Sequence, residues 1–266
     1  MSWPTWTAAA LSSEARAFEG EGWRLVEAQH HVATMKLVDT AAEQALLEQA
    51  IEATKPLVPQ PCRHLHYLLA APFRYRPAPV GSRFRKAGDP RGVLYAARAE
   101  TTAVAEIAFW RLLFFAESPD TPWPAAPLQL TAFALALATG RSLALAEPPL
   151  GRDLAFWTDP VDYRPTQDLA EAARSAAIAL LRYPSVRDPE GGENLAVLDC
   201  AAFARPEPGE LRTWHLLLDA NGARAVREMP KERLGFDRTT FARDPRIAAM
   251  RWERPLPKPQ GKRPRA

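Results

Sequence analysis

The chain has 266 residues, 47% of them hydrophobic, and a formal net charge of +3. That is enough for one large domain or two small ones with a real core, and it excludes a chain disordered throughout. The basic surplus gathers partly in the tail KPQGKRPRA, so the near-neutral body gives no reason for direct nucleic-acid binding.

The first residues, to about 22, are rich in Ala, Ser and Glu and read as a loose arm or short helix that docks by Trp3 and Trp6. They lack the basic region and continuous apolar core of a signal peptide. No later run approaches the roughly 18 apolar residues of a membrane span. A cytoplasmic protein with no membrane partner is expected. GWRLVEAQ reads as a short strand or extended piece, and a helix follows from about Thr40 to Lys55. Thr40 and Glu43 have capping-box spacing, Leu47, Ala50 and Ile51 share one face, and Pro56 ends the helix. Residues 1–61 are therefore expected to form a mainly helical extension.

Cys62 and Cys200 stand far apart and in no metal-ligand spacing, so free or buried thiols in a reducing compartment are expected. His30, His31, His64 and His66 find no acidic or cysteine partner at a recognisable spacing, and no metal site is expected. HLHYLLAAPFRY reads as an extended entry into the main domain, residues 62–236. The loop RPAPVGSRFRKAGDPRG then gathers Arg76, Arg83 and Arg85 just after Arg74 and Tyr75. Such arginines serve either as a solvated surface loop or as an anion cradle. A strand, Gly92 to Ala97, carries Tyr95. The helix after it, TTAVAEIAFWRLLFFAE, has Thr101 or Thr102 as its N-cap and is apolar on nearly every face, which implies burial. Glu106 lies in its first turns. A carboxylate there either complements the positive helix end or serves a site, because burying it without partners is unfavourable.

SPDTPWPAAP reads as a linker, Leu128 to Ala138 as a strand, and Thr139-Gly140 as its turn. LALAEPPL continues extended, and GRDLAFWTDPVDYRPTQ is expected as a loop with aromatics. Asp168 is expected to cap a helix, LAEAARSAAIALLRY, that Pro184 stops. Ser185 follows, as a turn residue or a site residue. A turn at Gly191-Gly192 leads into a strand from Asn194 to Leu198, and a hairpin turns at Asn221-Gly222. Residues 237–266 form a C-terminal segment whose basic, proline-rich end is expected to be disordered. Short strands and helices without a steady βαβ rhythm indicate an α+β domain. No GxGxxG, P-loop or GxSxG pattern occurs.

Taken together, Arg74 in PFRY, Arg83 in GSRF, Tyr95 in GVLYAA, Glu106 in TAVAEIAF and Ser185 in RYPSVRDPEGGEN resemble the RES domain. The resemblance spans about Cys62 to Phe236. It implies an ADP-ribosyltransferase-like split β-sheet with flanking helices, and the toxin of a toxin–antitoxin pair that consumes NAD as a substrate, with no further cofactor. Glu106 would then act on the reacting ribose, with Arg74, binding the pyrophosphate or ribose, and Ser185, holding the nicotinamide side by hydrogen bonds, as its catalytic companions. Arg83, Tyr95 and Tyr75 would hold the dinucleotide, and a helix-turn-helix antitoxin would be the protein partner. Phe84 and Arg85 stand where many members have tryptophan and asparagine. Cleavage of the nicotinamide–ribose bond builds positive charge on the sugar, which a fixed carboxylate stabilises most in the transition state. Protein ADP-ribosylation at the same site, or nucleotide or partner binding without turnover, are the alternatives.

Overall fold

A computed structural model describes residues 3–27, 37–75 and 81–255. His30, His31, Arg76 and the basic tail lie outside them. The helices are α1 Ala8–Ser13, α2 Ala41–Thr54, α3 Tyr67–Arg74, α4 Glu100–Glu117, α5 Leu154–Trp157, α6 Arg164–Ser175 and α7 Pro245–Ala248. The strands are β1 Arg16–Glu27, β2 Leu94–Ala97, β3 Leu128–Ala144, β4 Leu180–Pro184, β5 Glu193–Val197, β6 Leu211–Asp219, β7 Gly222–Arg227 and β8 Glu232–Asp237. This is the expected α+β class: a strand-rich sheet with helices against it.

All eight strands belong to one sheet in the order β1-β2-β5-β4-β3-β6-β7-β8, with β1 also paired to β3. Strand β3 organises it. One edge pairs antiparallel with β1 from Arg16↔Ser142 to Glu27↔Leu130. The other edge is shared: β6 takes the first part, Leu128–Phe133, and β4 runs parallel to the last, Ser142–Ala144. The single pair Trp23↔Ala97 then joins β1 to β2, so that β1, β2, β5, β4 and β3 form a closed ring. Gly22 lies beside that closure, where a Cβ would come 2.7 Å from Cδ1 of Leu195 and require that side chain to move.

Several sequence expectations are corrected. The strand expected from Gly22 forms and reaches back to Arg16 as β1 within the sheet, so residues 1–61, although they also hold α1 and α2, are no separate extension. HLHYLLAAPFRY is helical rather than extended. Nδ1 of His66 accepts from the amide of Leu68 at 3.3 Å, and Leu69, Ala70 and Phe73 bury one face. Thr139-Gly140 is no turn, because pairing with β1 carries β3 straight through it. The helix expected from Asp168 to Tyr183 begins at Arg164 with Pro165 in its first turn and ends at Ser175. Ala177 then adopts φ 53°, and LLRYP becomes β4. An apolar run of that length fits a buried strand as well as a helix, and the open edge of β3 decides between them. Cys62 and Cys200 are not free. They are disulfide-bonded with Cα atoms 5.6 Å apart, because the 3-10 turns Gln60–Cys62 and Cys200–Ala202 meet in the fold.

Other expectations hold. Thr40 and Glu43 form the capping box of α2, with the Glu43 amide donating to Thr40 Oγ1 at 3.2 Å. None of the side chains of α2 is buried, however, so Leu47, Ala50 and Ile51 do not make a core face. The indole N–H groups of Trp3 and Trp6 dock on Asp168 and Asp153 at 3.0 and 2.9 Å. The β6/β7 hairpin turns where expected. The core lies chiefly between α4 and the β1, β3, β6 and β7 faces, where Phe109, Leu112, Leu130 and Trp214 are fully buried. Among the described residues, no helix is long and apolar enough to cross a membrane.

Candidate active site

Helix α4 carries Glu106 to the middle of the molecule. The expected caps do not form: Ala99 is the N-cap with no side-chain bond, and the hydroxyl of Thr102 instead donates to Asp188 at 2.6 Å. That bond ties the loop after β4 to the helix. Ser185 and Asn194 leave β4 and enter β5, and both side chains reach Glu106 across the sheet. Oε1 of Glu106 accepts from Ser185 Oγ at 2.7 Å and from Asn194 Nδ2 at 2.5 Å. Among the described residues no donor reaches Oε2. Ser185 Oγ in turn accepts from the amides of Arg187 and Asp188 at 3.2 and 3.0 Å, which leaves its own proton for the carboxylate.

Glu106 lines a cavity of about 400 Å³ together with Trp23, Arg24, Arg83, Tyr95, Trp110, Tyr163, Tyr183, Arg187 and Asn194. Its cations differ in how far they are already engaged. Arg187 is paired with the buried Asp244 at 3.2 Å and lies 3.6 Å from the centroid of Phe109, so it belongs to the structure. The Arg83 guanidinium donates to the carbonyls of Trp157 and Asp159, both at 2.9 Å, and stacks 4.5 Å from the centroid of Tyr163. Arg24 donates to the carbonyl of Tyr95 at 2.6 Å, while its Nε is buried without a partner. Among the described residues neither Arg83 nor Arg24 faces a carboxylate. Burial lowers the Arg24 guanidinium to about 10, slightly opposed by Tyr95, so it stays charged at neutral pH.

The Tyr95 hydroxyl accepts from the Phe84 amide at 2.9 Å and bonds Ser82 Oγ at 2.8 Å, which pins the arginine-bearing loop to β2. Burial raises the pKa of this phenol and, more strongly, that of Tyr183, to which Glu106 adds. Both therefore remain neutral donors near the carboxylate.

The structure thus brings Glu106, Ser185, Arg83 and Tyr95 together. It does not bring Arg74 or Tyr75 to that cavity. They line an adjoining one of about 700 Å³ that shares Arg24, Ser82 and Tyr95 with the first. Arg74 there pairs with Glu52 at 2.6 Å. Arg24, Asn194, Tyr163 and Tyr183 were not singled out in the sequence. Asn194 had only its place at a strand start, and Arg24 only the lone positive charge in GWRLVE.

The sequence model of the RES domain matches residues 58–219. The chain belongs to the RES domain family. The RES match takes in Arg83, Tyr95, Glu106, Ser185 and Asn194 but leaves β1, with Arg24, outside it. By structure this RES protein is similar to a chain in the crystal structure of the M. tuberculosis MbcT-MbcA toxin-antitoxin complex. The TM-score is 0.45 and the identity 13%, covering 77% of this chain and 89% of that one. No curated protein matches it.

Proposed function

We propose that the protein cleaves the nicotinamide–ribose bond of NAD and is the toxin of a toxin–antitoxin pair. The observation that carries this reading is Glu106: a carboxylate inside a cavity, oriented at one oxygen by two neutral donors and left open at the other. Neutral partners fix its direction without cancelling its charge. The charge is then free to stabilise the positive sugar that forms as nicotinamide departs. Arg24 and Arg83, which face no carboxylate among the described residues, suit the pyrophosphate, because a guanidinium presents paired donors in one plane. Tyr95 and Tyr163 offer flat faces to the bases and nicotinamide.

In this reading the sheet that divides along β3 corresponds to the ADP-ribosyltransferase-like split sheet, and the acceptor is water or phosphate. Modification of a protein uses the same site with another acceptor. Trp110 and Phe114, 48% and 52% exposed on α4, give the antitoxin an apolar face beside the cavity mouth.

The test is nicotinamide release from NAD by the purified chain, with and without phosphate, beside Glu106→Gln. Release that needs Glu106 is the expected result. Dependence on phosphate distinguishes phosphorolysis from hydrolysis, and label from NAD retained on protein distinguishes transfer. A partner-free wild type that leaves NAD intact overturns the reading.

A further inference from the structure

Ser185 and Gly192 bound the loop between β4 and β5, and the amide of Ser185 donates to the carbonyl of Gly192 at 2.6 Å. Inside that loop Asp188 bonds in three directions. Its amide donates to Ser185 Oγ at 3.0 Å. Its carboxylate accepts from the amides of Glu190 and Gly192 at 3.0 and 3.3 Å, and from the hydroxyl of the buried Thr102 at 2.6 Å. Thr102 and Glu106 stand four residues apart on α4, which puts them one above the other on one face. The contacts therefore close a circuit from Glu106 through Ser185, Asp188 and Thr102, and back along one turn of helix. The loop grips α4 at two points rather than one.

Gly192 carries a separate mark of the same brace. Its φ is not positive, so no left-handed backbone requires a glycine there. A Cβ at this position would instead run into Thr102 Oγ1 and lie 2.5 Å from Asp188 Oδ2. Close approach to the Thr102–Asp188 bond is what excludes a side chain. Neither Thr102 nor Asp188 lines the cavity that holds Glu106, so any influence on the reaction passes through Ser185.

We propose that Asp188, braced by Thr102, is a positioning residue for the cleavage reaction. It holds the Ser185 hydroxyl in the orientation that donates to Oε1 of Glu106, and so keeps the carboxylate fixed with Oε2 open. This rests on nicotinamide release as the activity of the site. Loss of the brace lets the hydroxyl turn and the loop leave α4, while Arg24 and Arg83 are untouched. The effect therefore belongs in kcat and not in KM.

The experiment is steady-state nicotinamide release from NAD by the full chain, with thermal melts to verify folding. Wild type is compared with Thr102→Val, Thr102→Ser, Gly192→Ala, Ser185→Ala and the double variant Thr102→Val/Ser185→Ala. Thr102→Val keeps the shape of the side chain and removes its hydroxyl, and is expected to lower kcat about fivefold, the scale of one hydrogen bond, with KM unchanged. Thr102→Ser restores kcat. Gly192→Ala, which wedges the pair apart without removing a group, lowers kcat in the same way. Once Ser185 is already alanine, Thr102→Val is expected to lower kcat by less than about twofold, because the two act in series. Equal losses in both backgrounds, or full kcat in Thr102→Val or in a folded Gly192→Ala, overturn the proposal. Amide hydrogen exchange at Arg187 and Asp188, measured without NAD, separates the brace from the reaction. Exchange should quicken at both in Thr102→Val, and unchanged exchange overturns the brace. Quickened exchange beside a wild type that releases no nicotinamide leaves a structural brace and overturns both the reaction and the positioning role. Release by wild type with kcat intact in Thr102→Val keeps the reaction and removes Asp188 from it.

Discussion

Two carboxylates on α4, Glu100 and Glu106, are held in opposite ways. Glu100 is 8% exposed, and both its oxygens are filled with donors. Oε1 accepts from Trp214 Nε1 at 2.6 Å, and Oε2 takes Arg212 at 2.6 Å together with the buried Arg227. Its charge is spent inside the fold, closing the helix start onto β6 and β7. Glu106, two turns on, has among the described residues only Ser185 and Asn194, both neutral, on a single oxygen. A buried carboxylate surrounded by cations is structural cement. One that is oriented but not neutralised is available to a charge that arrives later.

The comparison can be broken at several points. The largest effect is expected at Glu100: Glu100→Ala leaves Arg227 buried beside a lost partner, a loss of about 3–5 kcal/mol. Its melting temperature should fall by roughly 10 °C. A melt unchanged within about 2 °C would show that the two carboxylates are held alike. Glu106→Gln should do the reverse. Nicotinamide release should fall about 10²- to 10³-fold, the scale of removing one fixed electrostatic group, with the melt unchanged.

Arg24→Met comes next and has two readouts. Folding lowers the Arg24 pKa to about 10, so the charged form is disfavoured in the folded state. That destabilisation is present in full below about pH 10 and is relieved as pH rises from there toward the unfolded value. At pH 7 the variant should therefore melt a few degrees higher, while KM for NAD rises about tenfold with kcat little changed. A lower melt together with an unchanged KM would remove Arg24 from the site. Ser185→Ala, which deletes one of two donors to Oε1, should lower kcat about tenfold, checked in the same nicotinamide assay, and leave KM nearly alone.

Much of the candidate site was legible in the sequence because its residues lie in short contexts with local signatures. Glu106 stood out as an acid on an apolar helix, and Ser185 as a serine after a helix-stopping proline within a recognisable run. Their meeting at 2.7 Å across 79 positions was not legible. Arg74 shows the converse failure. Its neighbourhood in sequence, close to Arg83 and Tyr95, suggested one site, but α3 ends in the other cavity and turns its side chain toward Glu52. Glu100 carries no local signal, because its partners Arg212, Trp214 and Arg227 come from the far end of the chain.

The sequence by itself determined the elements whose signals are local: the capping box of α2, the apolar helix α4, the strand with Tyr95, the β6/β7 hairpin and the docking of Trp3 and Trp6. Tertiary structure alone decided what depends on pairing at a distance. It carried the strand expected from Gly22 back to Arg16, since an unpaired edge of β3 can be filled only by a segment brought to it. It extended β3 through Thr139-Gly140, turned LLRYP into β4, and joined Cys62 to Cys200. Among the described residues it also left Glu106 and Arg24 without an ion pair while giving Glu100 two. Which charge is neutralised depends on which side chains the folded sheet brings within hydrogen-bond reach, and spacing along the chain carries no record of that.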